Sequence, residues 1–466
     1  MTKIIPPALF VIAIIMAAFL CGVLVAHYQF FPYRDIRDAG RTMKALLSSQ
    51  SAYSGERIEA TKIPANDVPN KRWTLLDKTA PRLPVIAFGG LNQYLELCPY
   101  RGCLAVTYNA EGLAEAVWPY RPADIFANDI TQDRYRHEML LIDPSENTKP
   151  IDVIRYANND ILVTFQRSWG SFIFPFGMGV ARIKQDGSPN WRRSDFSHHW
   201  SHLKSEGTAL VPGLWIVDQT QTFDPDVRIY FDDLILKCDT GRPQLDTVQM
   251  IDSKGELVDE IDLVPMFLES NWKRLIYETT DSCDPLHLNY IDEIEENEGA
   301  GLRAGDLVVS LRNISAFAVF DPKTRTLKRV VRGGFIQQHS VQHLSDGKFL
   351  VFDNLGGDLE GPGSRIVELD LVSGAERRIF PNAHTPKPYS KVFSPRAGHI
   401  DISPDKSRIL ASFTHDGRVF EVDLASGKLL AVFDNIHDTS SLPDELKDAQ
   451  PRAVRFSIFG MRYLRD

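Results

Sequence analysis

The sequence predicts an all-β chain, a six-bladed β-propeller preceded by an N-terminal transmembrane helix, and three observations predict it. Short strands of period-two alternation, joined by hairpin turns, recur along most of the 466 residues. Histidines return at one phase of that repeat: His199, His287, His339 and His399 each open a run of alternating apolar positions. The first 30 residues hold an uncharged apolar run unlike anything after it.

That run, Ala8 to Ala26, is 19 residues of mostly Ile, Val, Ala, Leu and Phe. As a helix it is long enough for a hydrocarbon core of about 30 Å. Tyr28, Phe30, Phe31 and Tyr33 follow as an aromatic belt. The alternative is a cleaved signal sequence, but Leu24-Val25-Ala26 is a poor small-x-small site and the run is long for a signal core. We assign 1–30 to a membrane anchor or signal sequence and 31–85 to an amphipathic helix (Ile36, Ala39, Met43, Leu46 and Leu47 on one face) and a linker. Residues 86–466 form the propeller domain. The flanking charge, Lys3 before the run and Arg34, Arg37, Arg41 and Lys44 after it, favours a cytoplasmic domain, although long domains translocate largely regardless of charge.

The blades are read from strand–turn copies such as Arg365-Ile-Val-Glu-Leu-Asp-Leu-Val-Ser-Gly374 and Arg418-Val-Phe-Glu-Val-Asp-Leu-Ala-Ser-Gly427. Six units result, near 86–120, 150–192, 199–260, 287–330, 339–380 and 399–435, a spacing that suits propeller blades with insertions. One residue type at one repeat position aims several side chains at a shared place, and in a radial repeat that place is the axis. The competing architecture is a sandwich or barrel with coincidental histidines.

Composition agrees. With 43% hydrophobic residues the chain can bury a large core, and a net charge of −9 with no basic run among aromatics argues against nucleic-acid binding. Cys98-Pro-Tyr-Arg-Gly-Cys103 brackets a short loop that either closes as a disulfide or holds two buried thiols; Cys238 and Cys283 leave the same choice. No second close pair completes a zinc set, and no metal or cofactor is expected.

The densest chemistry lies between 284 and 354: Asp284-Pro-Leu-His287-Leu-Asn289, then Ser310-Leu-Arg312-Asn313, then Gln337-Gln338-His339, then Phe352-Asp353-Asn354. In this order the motifs resemble the bacterial arylsulfate sulfotransferases, which work without the nucleotide donor PAPS. The resemblance covers most of 85–430, including the strand, Gly112 turn and closing Trp118 of the first unit. It implies a propeller with its active site at the central channel, where a histidine takes a sulfuryl group from an aryl sulfate and passes it to a phenol. By motif, His339 is the implied nucleophile, and His287, Arg312 and His199 are its catalytic partners, with His198 a weaker match than His199. His399 follows from repeat phase alone. Asn289, Asn313 and Asn354 lie inside the motifs and, with His399, are candidates for substrate binding. The resemblance also implies a domain outside the cytoplasm, so we expect a single-pass inner-membrane protein with a periplasmic propeller. Its small-molecule partners would be the aryl sulfate and the phenol. Whether copies associate is left open. Three features depart from the family's best-known members: no separate N-terminal β-sandwich, the apparent anchor, and the acidic insertion Glu293-Ile-Glu-Glu-Asn-Glu298.

Two other function classes stay open. A membrane-tethered propeller that keeps the channel residues without catalysis would be a binding or assembly module. Four convergent imidazoles would also suit a transition metal, although the charge of Arg312 opposes a cation there. His202 and His343 read as structural, the acidic run 293–298 as a solvated loop, and Trp200, Trp215, Phe335 and Phe352 as candidates for an apolar rim.

Overall fold

The computed structural model describes residues 16, 18, 20, 60–62, 72–99, 101–127, 148–167, 177–216, 243–298, 301–357, 363–437 and 454–465. The chain divides into two compact units, and the fold below belongs to the one comprising 57–357 and 363–466. Most of the predicted span 8–26 and the predicted amphipathic helix lie outside the described residues, among which no helix is long and apolar enough to cross a membrane.

Six antiparallel units, five of four strands and one of five, form the propeller. Blade two comprises Thr148–Arg155, Ile161–Arg167, Gly177–Ile183 and Pro189–Arg193; blade three His202–Leu203, Ala209–Ile216, Gln244–Ile251 and Leu257–Asp262. Blade four comprises Leu288–Glu293, Leu307–Leu311, Ala316–Asp321 and Thr326–Val331; blade five His339–Ser345, Lys348–Asp353, Arg365–Asp370 and Glu376–Phe380. Blade six comprises His399–Ile402, Arg408–Phe413, Arg418–Asp423 and Leu429–Asp434. Blade one closes the ring: Val85–Phe88, Cys103–Tyr108 and Ala114–Pro119 take their inner strand, Gly460–Tyr463, from the far end of the chain.

The blade boundaries follow the sequence reading closely, with three differences. The closing strand Gly460–Tyr463 was not foreseen. It is a lone four-residue strand with no hairpin partner beside it in sequence. The assigned linker 31–85 is not all linker, because Trp73–Leu75 pairs with Leu429–Asp434 as a fifth, outer strand of blade six. Trp73 anchors it edge-on to Phe433, with ring centroids 5.1 Å apart. The acidic run is only partly solvated: Glu295 and Glu296 are exposed, but Glu298 accepts from His343 Nε2 at 2.8 Å and Glu293 pairs with Lys204 at 2.9 Å.

Two devices join neighbouring blades. One is apolar packing, as where Phe352, Phe380, Phe413 and Phe420 fill the gap between blades five and six. Full burial of each such ring is worth about 2–3 kcal/mol. The other is a carboxylate clasp. Asp152 accepts the backbone N–H of Ser201 at 2.8 Å, Asp292 that of His343 at 2.8 Å, and Asp401 that of Tyr463 at 2.7 Å. Each clasp joins one blade to the inner edge of the next and satisfies a buried backbone donor. The closing strand is fastened again by Arg462, whose guanidinium meets Asp152 at 2.8 Å.

Of the open cysteine choices, Cys98 and Cys103 form a disulfide with their Cα atoms 5.3 Å apart. Cys283 is also disulfide-bonded, and Cys238 lies outside the described residues.

Candidate active site

The inner ends of blades three, four and five bring His199, His287 and His339 together. The His199 ring lies 4.9 Å from that of His287 and 6.1 Å from that of His339, centroid to centroid. The backbone here is unusual. His199 and His287 have φ of +54° and +57°, and Gln337 and Ser340, flanking His339, have +50° and +45°. Non-glycine residues adopt this left-handed region at an energetic cost, and such cost is concentrated at functional sites.

His339 is fully buried, and its Nδ1 lies 2.7 Å from Oδ1 of Asn354. The Asn354 amide is oriented unambiguously, because its Nδ2 donates to the carbonyls of Ser394 at 2.6 Å and Ala397 at 3.0 Å. Its Oδ1 is therefore an acceptor, and His339 Nδ1 carries the proton. Nε2 of His339 is then a bare lone pair, and among the described residues it has no hydrogen-bond partner. Burial, helped by the nearby charge of Arg312, pushes the His339 imidazole well below its ordinary value, so the ring is neutral.

Arg312 follows the second strand of blade four in a 3-10 turn, Arg312–Ile314. It donates to Oδ1 of Asn313 at 2.8 Å and to Oε1 of Gln337 at 2.9 Å. Both partners are neutral amides, and no carboxylate forms an ion pair with Arg312 among the described residues. The structural alternative, a pairing with Asp284 or Asp353, does not occur: Asp353 pairs with Arg365 at 2.7 Å, and Asp284 bonds Nδ1 of His287. Burial lowers the Arg312 guanidinium, opposed by the charges of Asp284 and Asp281.

The three asparagines serve the protein itself. Asn354 orients His339. Asn313 takes the Arg312 hydrogen bond and donates to the Asp284 carbonyl at 2.6 Å. Asn289 donates to the Gln338 carbonyl at 2.7 Å, next to His339. Only Oδ1 of Asn289 remains without a partner among the amides of these three.

His399 does not join the cluster. It is fully buried among Phe88, Trp200 and Tyr290, with the Trp200 ring 6.1 Å from it on one side and 5.8 Å from His339 on the other. Gly398 permits this placement, since a Cβ there would come within 2.3 Å of the Phe352 ring. Of the rim candidates, Trp200 makes ring contacts with His199, His339 and His399; Phe335 packs on Phe317, and Phe352 on Phe413.

Sequence reasoning undervalued two residues. Gln337 steadies Arg312, and His198 lies with its Nδ1 2.5 Å from Nδ1 of His199. The signal for both was present, in the doublets Gln337-Gln338 and His198-His199, but a doublet does not say which member faces the axis.

Burial holds five imidazoles neutral: His198 and His415 are each pushed down to about 3, and His199, His339 and His399 well below the ordinary value. In the unfolded chain a histidine takes up its proton near pH 6.5. Below that pH the unfolded state binds more protons than the native one, so stability is full above about pH 6.5 and falls on acidification. Asp246, Asp353, Asp401 and Asp434, all raised by burial, act with the opposite sign and are fewer than the five histidines. We expect the urea midpoint of unfolding to drop between pH 7.5 and pH 5.5 in proportion to these groups, and a flat profile over that window would refute the neutral-histidine assignment.

The family model described as Arylsulfotransferase (ASST) matches residues 154–434, a span holding every member of the cluster. No curated protein matches the chain. Among solved structures, a protein of unknown function from Bacteroides caccae is 14% identical with a TM-score of 0.44, over 83% of this chain and 100% of that one. The virginiamycin B lyase of Staphylococcus aureus is 11% identical with a TM-score of 0.33, over 60% of this chain and 69% of that one.

Proposed function

Because the chain belongs to the arylsulfotransferase family, we propose that it moves a sulfuryl group from an aryl sulfate to a phenol through a sulfo-histidine on Nε2 of His339. The observation that carries this reading is the bare, partnerless Nε2 of a neutral His339 beside a buried guanidinium free of direct ion pairing.

In the first half-reaction, the Nε2 lone pair attacks sulfur, the aryl O–S bond breaks, and the phenolate leaves with the bonding pair. Nδ1 keeps its proton on Asn354, so the sulfated ring is a cation joined to a sulfonate. In the second, the oxygen of an acceptor phenol attacks sulfur, the N–S bond breaks, and its electrons return to Nε2. The acceptor's hydroxyl proton passes to His199. No nucleotide takes part. Such transfers have loose transition states with charge spread over the equatorial oxygens, so fixed positive groups matter more than covalent strain. Arg312 and His287 are placed to hold those oxygens, the first by permanent charge and the second from its anchor on Asp284.

The site also supports a location. We place the propeller on the periplasmic side of the inner membrane, tethered by 8–26. The Cys98–Cys103 disulfide and the bonded Cys283 favour an oxidising compartment.

The test is a mixture of a chromogenic aryl sulfate, a phenol and purified protein with no nucleotide. We expect release of the donor phenol with matched sulfation of the acceptor, and parallel double-reciprocal lines, since the acceptor enters only after the first phenol leaves. No turnover across a panel of aryl sulfates would favour the binding-module reading.

A further inference from the structure

We propose that Asp246 is a positioning residue whose buried carboxyl grips the backbone where blade four begins and so holds the His287 imidazole in the cluster.

His287 stands at the entry to the inner strand of blade four, with φ of +57°. A histidine keeps this left-handed conformation only where its surroundings hold it there. Strand pairing alone does not, because the ladder between Leu288–Glu293 and Leu307–Leu311 is bulged between Leu288 and Tyr290. Blade four itself holds the carbonyl side of the turn. The Arg312 N–H donates to the His287 carbonyl at 3.1 Å, and the Asn313 N–H to the Leu286 carbonyl at 3.0 Å. The N–H side is held from the neighbouring blade. Oδ1 of Asp246, in the third strand of blade three, accepts the Leu288 N–H at 2.9 Å. Asp246 and Leu288 are both wholly buried, so water does not compete for this bond. Burial and the charge of Asp284 push the Asp246 carboxyl up, and bonding to the Leu288 and His287 N–H groups pulls it down.

This carboxyl lies off the repeat. The clasps of Asp152, Asp292 and Asp401 all sit on inner strands. Asp246 sits on a third strand and bonds the residue directly after a site histidine, so the general fastening of blades does not account for it. Asp246 fixes the root of the His287 side chain, and Asp284 fixes its tip at Nδ1. Held at both ends, the ring lies 4.9 Å from that of His199. The Arg312 N–H on the His287 carbonyl ties the guanidinium-bearing residue to the same turn. The placement follows from geometry; its effect on rate rests on the sulfotransferase reading.

The test uses the full chain labelled with ¹⁵N-histidine, with the ring signals of His287 assigned by their loss in His287→Ala. In Asp246→Ala we expect those signals to move and kcat to fall at least about 10-fold with little change in KM. Asp246→Ser, whose oxygen is one bond too short to reach Leu288, should do the same if the alanine variant does not fold. Asp246→Asn keeps the accepting oxygen, and its nitrogen replaces Oδ2, which has no partner among the described residues. It should restore both the signals and kcat. Oδ1 of Asp246 also lies 3.8 Å from Nε2 of His198, and a double-mutant cycle separates that route. In the His287→Ala background, Asp246→Ala should cost less than about 2-fold. Unmoved His287 signals in Asp246→Ala and Asp246→Ser, displaced signals in Asp246→Asn, or a full additional loss in the His287→Ala background would each overturn the proposal. A wild-type protein inactive on every aryl sulfate, with the His287 signals moving as expected, would instead count against the function proposed above.

Discussion

His339→Asn is expected to abolish the proposed sulfuryl transfer. Mixed with an aryl sulfate, the wild-type protein should gain the mass of one sulfuryl group in intact-protein mass spectrometry, and the variant none. Turnover should fall on the order of 10⁶-fold, the loss seen when a nucleophile is removed from a covalent mechanism. Asparagine fits the space of the buried ring and keeps a polar group toward Asn354, so unfolding midpoints should stay close to wild type. That control matters because His339 is wholly enclosed. An adduct that persists in the variant would move the nucleophile elsewhere, with His287 the next imidazole to test.

Arg312→Ala is expected to cut kcat by about 10²- to 10³-fold, near 3 kcal/mol of transition-state stabilisation, with a smaller change in KM. The reason is geometric. Gln337 and Asn313 hold the guanidinium without neutralising it, so its charge is available to the sulfuryl oxygens in a loose transition state. Arg312→Lys should recover only part of the rate, because an ammonium is a point charge and cannot keep both amide hydrogen bonds in one plane. If Arg312→Ala raised KM alone, the arginine would be a ground-state binder and the electrostatic argument would fail.

The family and the blade count were legible because both rest on repetition and order. Period-two strands with turns at matching offsets announce hairpins, and His287, Arg312 and His339 stand in motifs whose sequence order survives folding. The fate of single residues was not legible. Asn289, Asn313 and Asn354 read as ligands for a substrate, yet an amide beside a catalytic group serves equally to hold it, and the choice depends on which carbonyl lies within reach. His399 shares the phase of the other three histidines, but its ring neighbours are Trp200, Tyr290 and Phe88, and Trp200 also touches His339.

By itself, the sequence determined an all-β radial repeat, its blade boundaries and the residue types gathered at the axis, since alternation and spacing are local properties that each hairpin expresses alone. Tertiary structure decided the rest. Gly460–Tyr463 joins a blade begun at Val85 because an open ring would leave the inner edges of that blade and of blade six exposed, a demand no local segment encodes. The protonation pattern of the site arises the same way: the proton on Nδ1 of His339 depends on Asn354, 15 residues away. A hydrogen-bond partner distant in sequence chooses which nitrogen of His339 is bare, and the proposed role of that histidine rests on this choice.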